Sequence, residues 1–205
     1  MSTHDPTVLP PGLPVPTDDG ATRHLPGMPV PAVALSTTAG ADMLIGDVGP
    51  YLRRVVYAYP RTGRPGEAPL VEDWDLIPGA RGCTPESCGF RDHHAELARA
   101  GADVVGLSTL DIDDQREAAT RLHLPFPLVS DAGLRLTRAM DLPTMDVGGQ
   151  VLLKRFTLVI REGRVEHVFY PVFPPDRHAE QVLRWLGAQL IEDRRSPFVE
   201  PDRRA

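Results

Sequence analysis

The chain has 205 residues, 41% of them hydrophobic and 24% charged, which is the size of one decorated domain and excludes a wholly disordered or fibrous chain. Lys plus Arg number 22 against 28 Asp plus Glu, for a net charge of -6, so the bulk attraction that nucleic-acid binding relies on is missing. No apolar run reaches the roughly 18 residues of a bilayer span, and the first 22 residues hold neither Lys nor Arg nor a sustained apolar stretch; the expectation is a cytoplasmic protein with no membrane or nucleic-acid partner.

Eight prolines fall within the first 31 residues, which rules out regular helix and predicts a proline-rich arm over 1–27 running extended across a surface. The folded domain is expected over 28–190, followed by a charged tail over 191–205. Within the domain, 32–45 reads as a short hairpin around a Gly-containing turn. The β-branched and aromatic run 54–60, ended by Pro60, reads as a buried central strand reaching the edge of its sheet. Residues 61–82 carry four glycines and three prolines and read as a long loop.

A helix is predicted next, with Thr84 as cap and Pro85 at the first helical position. Phe90, His94, Leu97 and Ala98 recur at helical spacing until Gly101 stops it. The rest alternates: a strand over 103–108, a helix over 113–122, a short strand over 126–129 and a helix over 132–141. Residues 155–160 and 165–170 form a hairpin around Glu162-Gly163, and a final amphipathic helix over 176–190 presents Val182, Trp185 and Leu186. This order predicts an α/β fold, a mixed sheet with helices on both faces.

Cys83 and Cys88 are the only cysteines, too few for a disulfide scaffold and close enough together to direct attention to their chemistry. A thiol attacks as thiolate, and at an ordinary pKa near 8.5 only about 3% is ionised at pH 7. Lowering that pKa to about 6 takes roughly 3.4 kcal/mol of preferential stabilisation of the anion. A helix N-terminus supplies about 0.5 to 2 kcal/mol, and one guanidinium could supply the remainder. Cys88 lies five residues on, about 7.5 Å along a helix axis, whereas a disulfide tolerates Cα separations up to only about 7 Å. The pair therefore reads as a switch that needs the helix unwound, not as a staple.

Plainer readings compete with it. Two buried thiols packed as small hydrophobes would suit an apolar setting, and the surroundings here are polar and flanked by glycine. Zinc on Cys83, Cys88, His93 and His94 is disfavoured, because adjacent histidines point about 100° apart on a helix; a solvated face is preferred for both. Among Asp111, Asp113 and Asp114, the second or third is expected to cap the next helix, with no metal assigned. Trp74 and Trp185 read as packing residues.

The segment Val56-Tyr57-Ala58-Tyr59-Pro60 followed by Gly82-Cys83-Thr84-Pro85-Glu86-Ser87-Cys88-Gly89-Phe90-Arg91-Asp92 resembles the peroxiredoxins of the bacterioferritin-comigratory (Q) branch, of the atypical two-cysteine type. The hairpin beginning Arg155-Phe156-Thr157 continues the likeness, which spans roughly 28–188. The resemblance implies a thioredoxin-like fold, with Cys83 as peroxidatic cysteine, Cys88 as resolving cysteine and Arg155 as the polarising guanidinium. It also implies a thiol peroxidase acting on hydrogen peroxide and organic hydroperoxides without metal, haem or flavin, recycled by thioredoxin or a similar dithiol, as monomer or homodimer. The chain departs from the family where a threonine is expected three residues before the cysteine: Ala80 stands there, and Leu76 occupies the family's proline position. An insertion of about sixteen residues separates Pro60 from the cysteine loop, leaving Thr62 and Thr84 as candidate replacement hydroxyls. Two other functions compete: a thioredoxin-fold disulfide reductase, which would use Cys-x-x-Cys, and a peroxide-sensing or partner-binding module using the same switch without turnover.

Overall fold

The computed structural model describes residues 5–195. In chain order the elements are β1 (Ala34–Thr37), β2 (Met43–Leu44), β3 (Arg53–Ala58), α1 (Cys83–Asp92), α2 (His94–Arg99), β4 (Ala102–Ser108), α3 (Ile112–Arg121), β5 (Leu128–Ser130) and α4 (Arg135–Met140). There follow β6 (Thr144–Val147), β7 (Gln150–Leu153), β8 (Phe156–Arg161), β9 (Arg164–Phe169) and α5 (His178–Arg195). Seven strands form one mixed sheet in the order β2-β1-β5-β4-β3-β8-β9, parallel across β3, β4 and β5 and antiparallel elsewhere.

The run read as a central strand takes that place. β3 is buried along its whole length, with Val55 opposite both Val104 of β4 and Val159 of β8. The pleat sends alternate residues to opposite faces. Val55, Tyr57 and Tyr59 meet Phe90 of α1, Leu97 of α2, Ala118 of α3, and Val182 and Leu186 of α5. Val56 and Ala58 meet Leu136 and Met140 of α4, together with Leu25, Leu35 and Ile45 from the N-terminal segment. Each fully buried side chain of this kind contributes about 1.5–3 kcal/mol, so the two apolar faces hold β3 rigidly, and with it the loop that leads to Cys83.

Several boundaries differ from the sequence reading for physical reasons. α1 starts at Cys83 with Gly82 at its N-cap, not at Thr84, because Gly82 takes the left-handed conformation (φ 106°) that turns the chain into the helix earlier. The expected single helix breaks at His93, giving α1 and α2. The last helix begins at His178 and continues to Arg195, past the expected end at 190; residues 196–205 of the expected tail lie outside the described residues. Asp111, not Asp113 or Asp114, caps α3, its carboxylate accepting from both of their amides.

The β6–β7 hairpin was not anticipated. Its turn, Gly148-Gly149 with φ of 58° and 76°, is the glycine pair that a tight two-residue hairpin favours. Its inner residues Val147 and Leu152 build a small third cluster with Trp74 and Ala80, flanked by Leu70 and Ile77. The long loop 61–82 is thus pinned to this hairpin instead of lying loose, and contains one 3-10 turn at Trp74–Leu76. The proline-rich stretch carries turns at 6–7, 11–12, 21–24 and 26–27 and enters the fold at Leu25; Gly27 N donates to Val165 O at 2.7 Å and Val30 N to Gly163 O at 2.8 Å, beside the edge strand β9.

Candidate active site

Cys83 is the first residue of α1, and the turn before it admits only glycine. A Cβ on Gly82 would stand 2.3 Å from Pro175 Cγ and 2.9 Å from Leu9 Cδ2. Arg155 enters from the start of β8, whose neighbour Phe156 pairs with Ala58 at the end of β3. The β3–β8 register therefore carries the guanidinium to the helix mouth. Its Nη2 donates to Cys83 Sγ at 3.0 Å and also approaches the carbonyls of Ala80 (3.4 Å) and Arg81 (3.3 Å). Its Nη1 donates to the Glu86 carboxylate, one turn further along the helix. Cys83, Glu86 and Arg155 are all buried.

One cation thus serves two acids. Burial pushes the Cys83 thiol up and Glu86 pushes the same way, while Arg155 and the Arg61 amide pull it down. Burial likewise pushes the Glu86 carboxyl up to about 7, against the pull of Arg155. The ionised, reachable sulfur expected from sequence is not what this conformation holds: Cys83 is 2% exposed, and the lost solvation outweighs the helix terminus and the guanidinium. The Cys83 sulfur also lies 3.5 Å from Ala80 O.

Cys88 sits on the same intact helix, half-buried near Arg91 and Arg121, its thiol pushed up chiefly by burial. The structure places Cys83 and Arg155 in contact and leaves Cys88 apart, both cysteines being free. Thr62 and Thr84 line one cleft beside Gly82, together with Arg61, Trp74 and Arg81. The Thr84 hydroxyl is buried with no hydrogen-bond partner among the described residues.

Around this centre, Tyr57 OH donates to Ser87 Oγ at 3.1 Å while its ring stacks on Phe90 at 4.6 Å, fixing the inner face of α1 to β3. His178 Nε2 pairs with Thr157 Oγ1 at 2.8 Å, and burial lowers its pKa to about 4, so it is neutral near pH 7. Glu86 is the residue that sequence reasoning undervalued. In the sequence it stands only as one residue of the cysteine motif, and only the fold shows that this face turns inward to the arginine. Among the described residues no grouping of three or more His, Cys, Asp or Glu side chains is suited to a metal ion, and no helix is long and apolar enough to cross a membrane.

A family model described as Redoxin matches residues 25–183. A chloroplastic peroxiredoxin Q of Gentiana triflora is 29% identical over 132 residues, covering 64% of this chain and 53% of that protein; the chain spans about half the length of such curated relatives. Among solved structures, the peroxidoxin BcpB of Mycobacterium tuberculosis superposes with a TM-score of 0.64 at 27% identity, covering 80% of this chain and 98% of that one. Xanthomonas campestris peroxiredoxin Q does so with a TM-score of 0.60 at 26% identity, covering 76% and 90%.

Proposed function

Because the chain belongs to the Redoxin family, with peroxiredoxin Q proteins among its relatives and structural neighbours, we propose that it is a thiol peroxidase in which Cys83 reacts with the peroxide. The observation that carries this reading is the 3.0 Å contact between Arg155 Nη2 and the Cys83 sulfur at a helix N-terminus. A charge-assisted donor placed there stabilises the thiolate and can polarise an incoming peroxide oxygen.

In the proposed reaction the Cys83 thiolate attacks one oxygen of the O–O bond. An S–O bond forms, the O–O bond breaks, sulfur is oxidised by two electrons to a sulfenic acid that keeps one oxygen, and the other oxygen leaves as alcohol or water after taking up a proton. Cys88 then attacks the sulfenic sulfur: an S–S bond forms and water leaves. That step needs α1 opened, since both cysteines lie on one helix, Cys83–Asp92, about 7.5 Å apart along its axis. A dithiol such as thioredoxin returns the two electrons, in a reducing compartment such as the cytoplasm, with hydrogen peroxide and organic hydroperoxides as the substrate class. Cys83→Ser tests the reading: it is expected to abolish peroxide consumption coupled to a thioredoxin system, and retained turnover in that variant overturns it.

A further inference from the structure

Segment 5–19 runs beside the loop that leads to Cys83 and is tied down at both ends. At one end the guanidinium of Arg81, two residues before Cys83, donates from Nη2 to the backbone carbonyls of Asp5 and of Val8, the latter at 3.0 Å. At the other, the Asp19 carboxylate accepts from Lys154 Nζ at 2.6 Å and from Tyr170 OH at 2.8 Å, and Lys154 immediately precedes Arg155. Between the ties, Leu9 rests on Gly82. Leu13 and Pro14 share a cleft with Arg155 and Pro175, and Pro16 shares another with Gly79 and Arg155. The arm therefore lies beside Gly82, the residue before Cys83, and along two clefts that Arg155 also lines.

The segment is built to move as a unit. Prolines at 6, 10, 11, 14 and 16, with turns at 6–7 and 11–12, leave it little conformational freedom to lose on docking. Apart from Pro6, its residues are half-buried or exposed, and it adds no strand to the sheet. A segment held by a few polar ties over little buried surface opens at far lower cost than the core beneath it.

We propose that segment 5–19 is a strap that gates Cys83 by size and so determines which hydroperoxides reach it: closed, it leaves only narrow clefts; lifted, it admits bulky ones. The consequence for hydroperoxides rests on Cys83 being the peroxide-reactive sulfur, whereas the gate itself can be measured without any peroxide. Asp19→Ala in the full chain removes one tie without altering Cys83, Arg155 or α1. The rate of Cys83 modification is read by peptide mass with iodoacetamide and with a bulky maleimide. In parallel, kcat/KM is measured for cumene hydroperoxide and for hydrogen peroxide.

Loss of a tie worth about 1 kcal/mol corresponds to about five-fold. The bulky-to-small ratio is therefore expected to rise about five-fold in both assays, with Tyr170→Phe, which removes one of the two bonds to Asp19, giving a smaller rise. Unchanged ratios in both variants, with peroxide turnover intact, overturn the strap and leave the peroxidase reading standing. A raised maleimide-to-iodoacetamide ratio with no peroxide turnover in any of the proteins supports the gate and overturns the peroxidase reading alone.

Discussion

Replacing Glu86 by Gln isolates the electrostatics of the site, because the amide keeps an oxygen that can accept from Arg155 Nη1 while losing the charge. In the wild type, Arg155 is shared between Glu86 on Nη1 and Cys83 on Nη2, all three groups being buried. With the carboxylate and the sulfur taken as about 6 Å apart across one guanidinium and an effective dielectric near 20, their repulsion is roughly 3 kcal/mol, or about 2 pK units. Cys83 titrates above the Glu86 value of about 7, so the carboxylate is charged over the range that matters. The variant is therefore expected to lower the thiol's apparent pKa by about 1 to 2 units. The assay is the pH dependence of Cys83 alkylation by iodoacetamide between pH 5 and 10, in a Cys88→Ser background so that one thiol reports. An unchanged or higher apparent pKa would refute the idea that Glu86 competes with the sulfur for Arg155, and would instead make the charged carboxylate necessary to hold the guanidinium in place.

Three further outcomes follow from the same geometry. Gly82→Ala places a methyl 2.3 Å from Pro175 Cγ at a φ of 106°; it should destabilise the fold by about 2–4 kcal/mol, read as a lower midpoint in urea, and a midpoint equal to wild type would contradict the tight turn described. His178, whose pKa falls from 6.5 to about 4 in the fold, excludes a proton that the unfolded chain binds. Its contribution is present above pH 6.5 and is lost as pH falls toward 4, by up to about 3 kcal/mol; His178→Gln should flatten that part of the stability profile, and an unaltered slope would refute the assignment. Cys88→Ser should leave the first oxidation of Cys83 intact but let the sulfenic acid persist, seen as a 16 Da adduct or trapped by dimedone; rapid disulfide formation within that chain is impossible, and no adduct at all would count against Cys83 as the reacting sulfur.

The fold was legible wherever the sequence carries long apolar runs. The uniformly buried β3, the hairpin of β8 and β9, and the alternation from β4 to α4 all follow from periodicity and turn residues. The β6–β7 hairpin was not, because four-residue strands give too short a pattern, although Gly148-Gly149 was the available signal. The start of α1 at Cys83 turns on the left-handed Gly82, a backbone state that local propensity does not encode when Thr84-Pro85 offers an equally good cap.

Of the site, the cysteine pair could be read from its spacing, whereas Arg155 stands out among many arginines only through the family resemblance. The partner of Glu86 and the course of the arm depend on tertiary contacts. Proline content argues against regular helix in the arm, but does not show that Arg81, Lys154 and Tyr170 fasten it beside the cysteine loop. Packing of Cys83 into the core cluster with Tyr57 and Phe90, and the nearby Glu86, explain why its thiol is less acidic than the helix terminus alone would suggest.

The most direct measurement is the intact mass of the reduced chain after one equivalent of hydrogen peroxide, followed by peptide mapping. A peroxidatic Cys83 resolved by Cys88 predicts loss of two hydrogens, a single crosslinked peptide joining the two cysteines, and return to the starting mass with a thioredoxin system. Two unchanged thiols, or oxidation confined to Cys88, would contradict it.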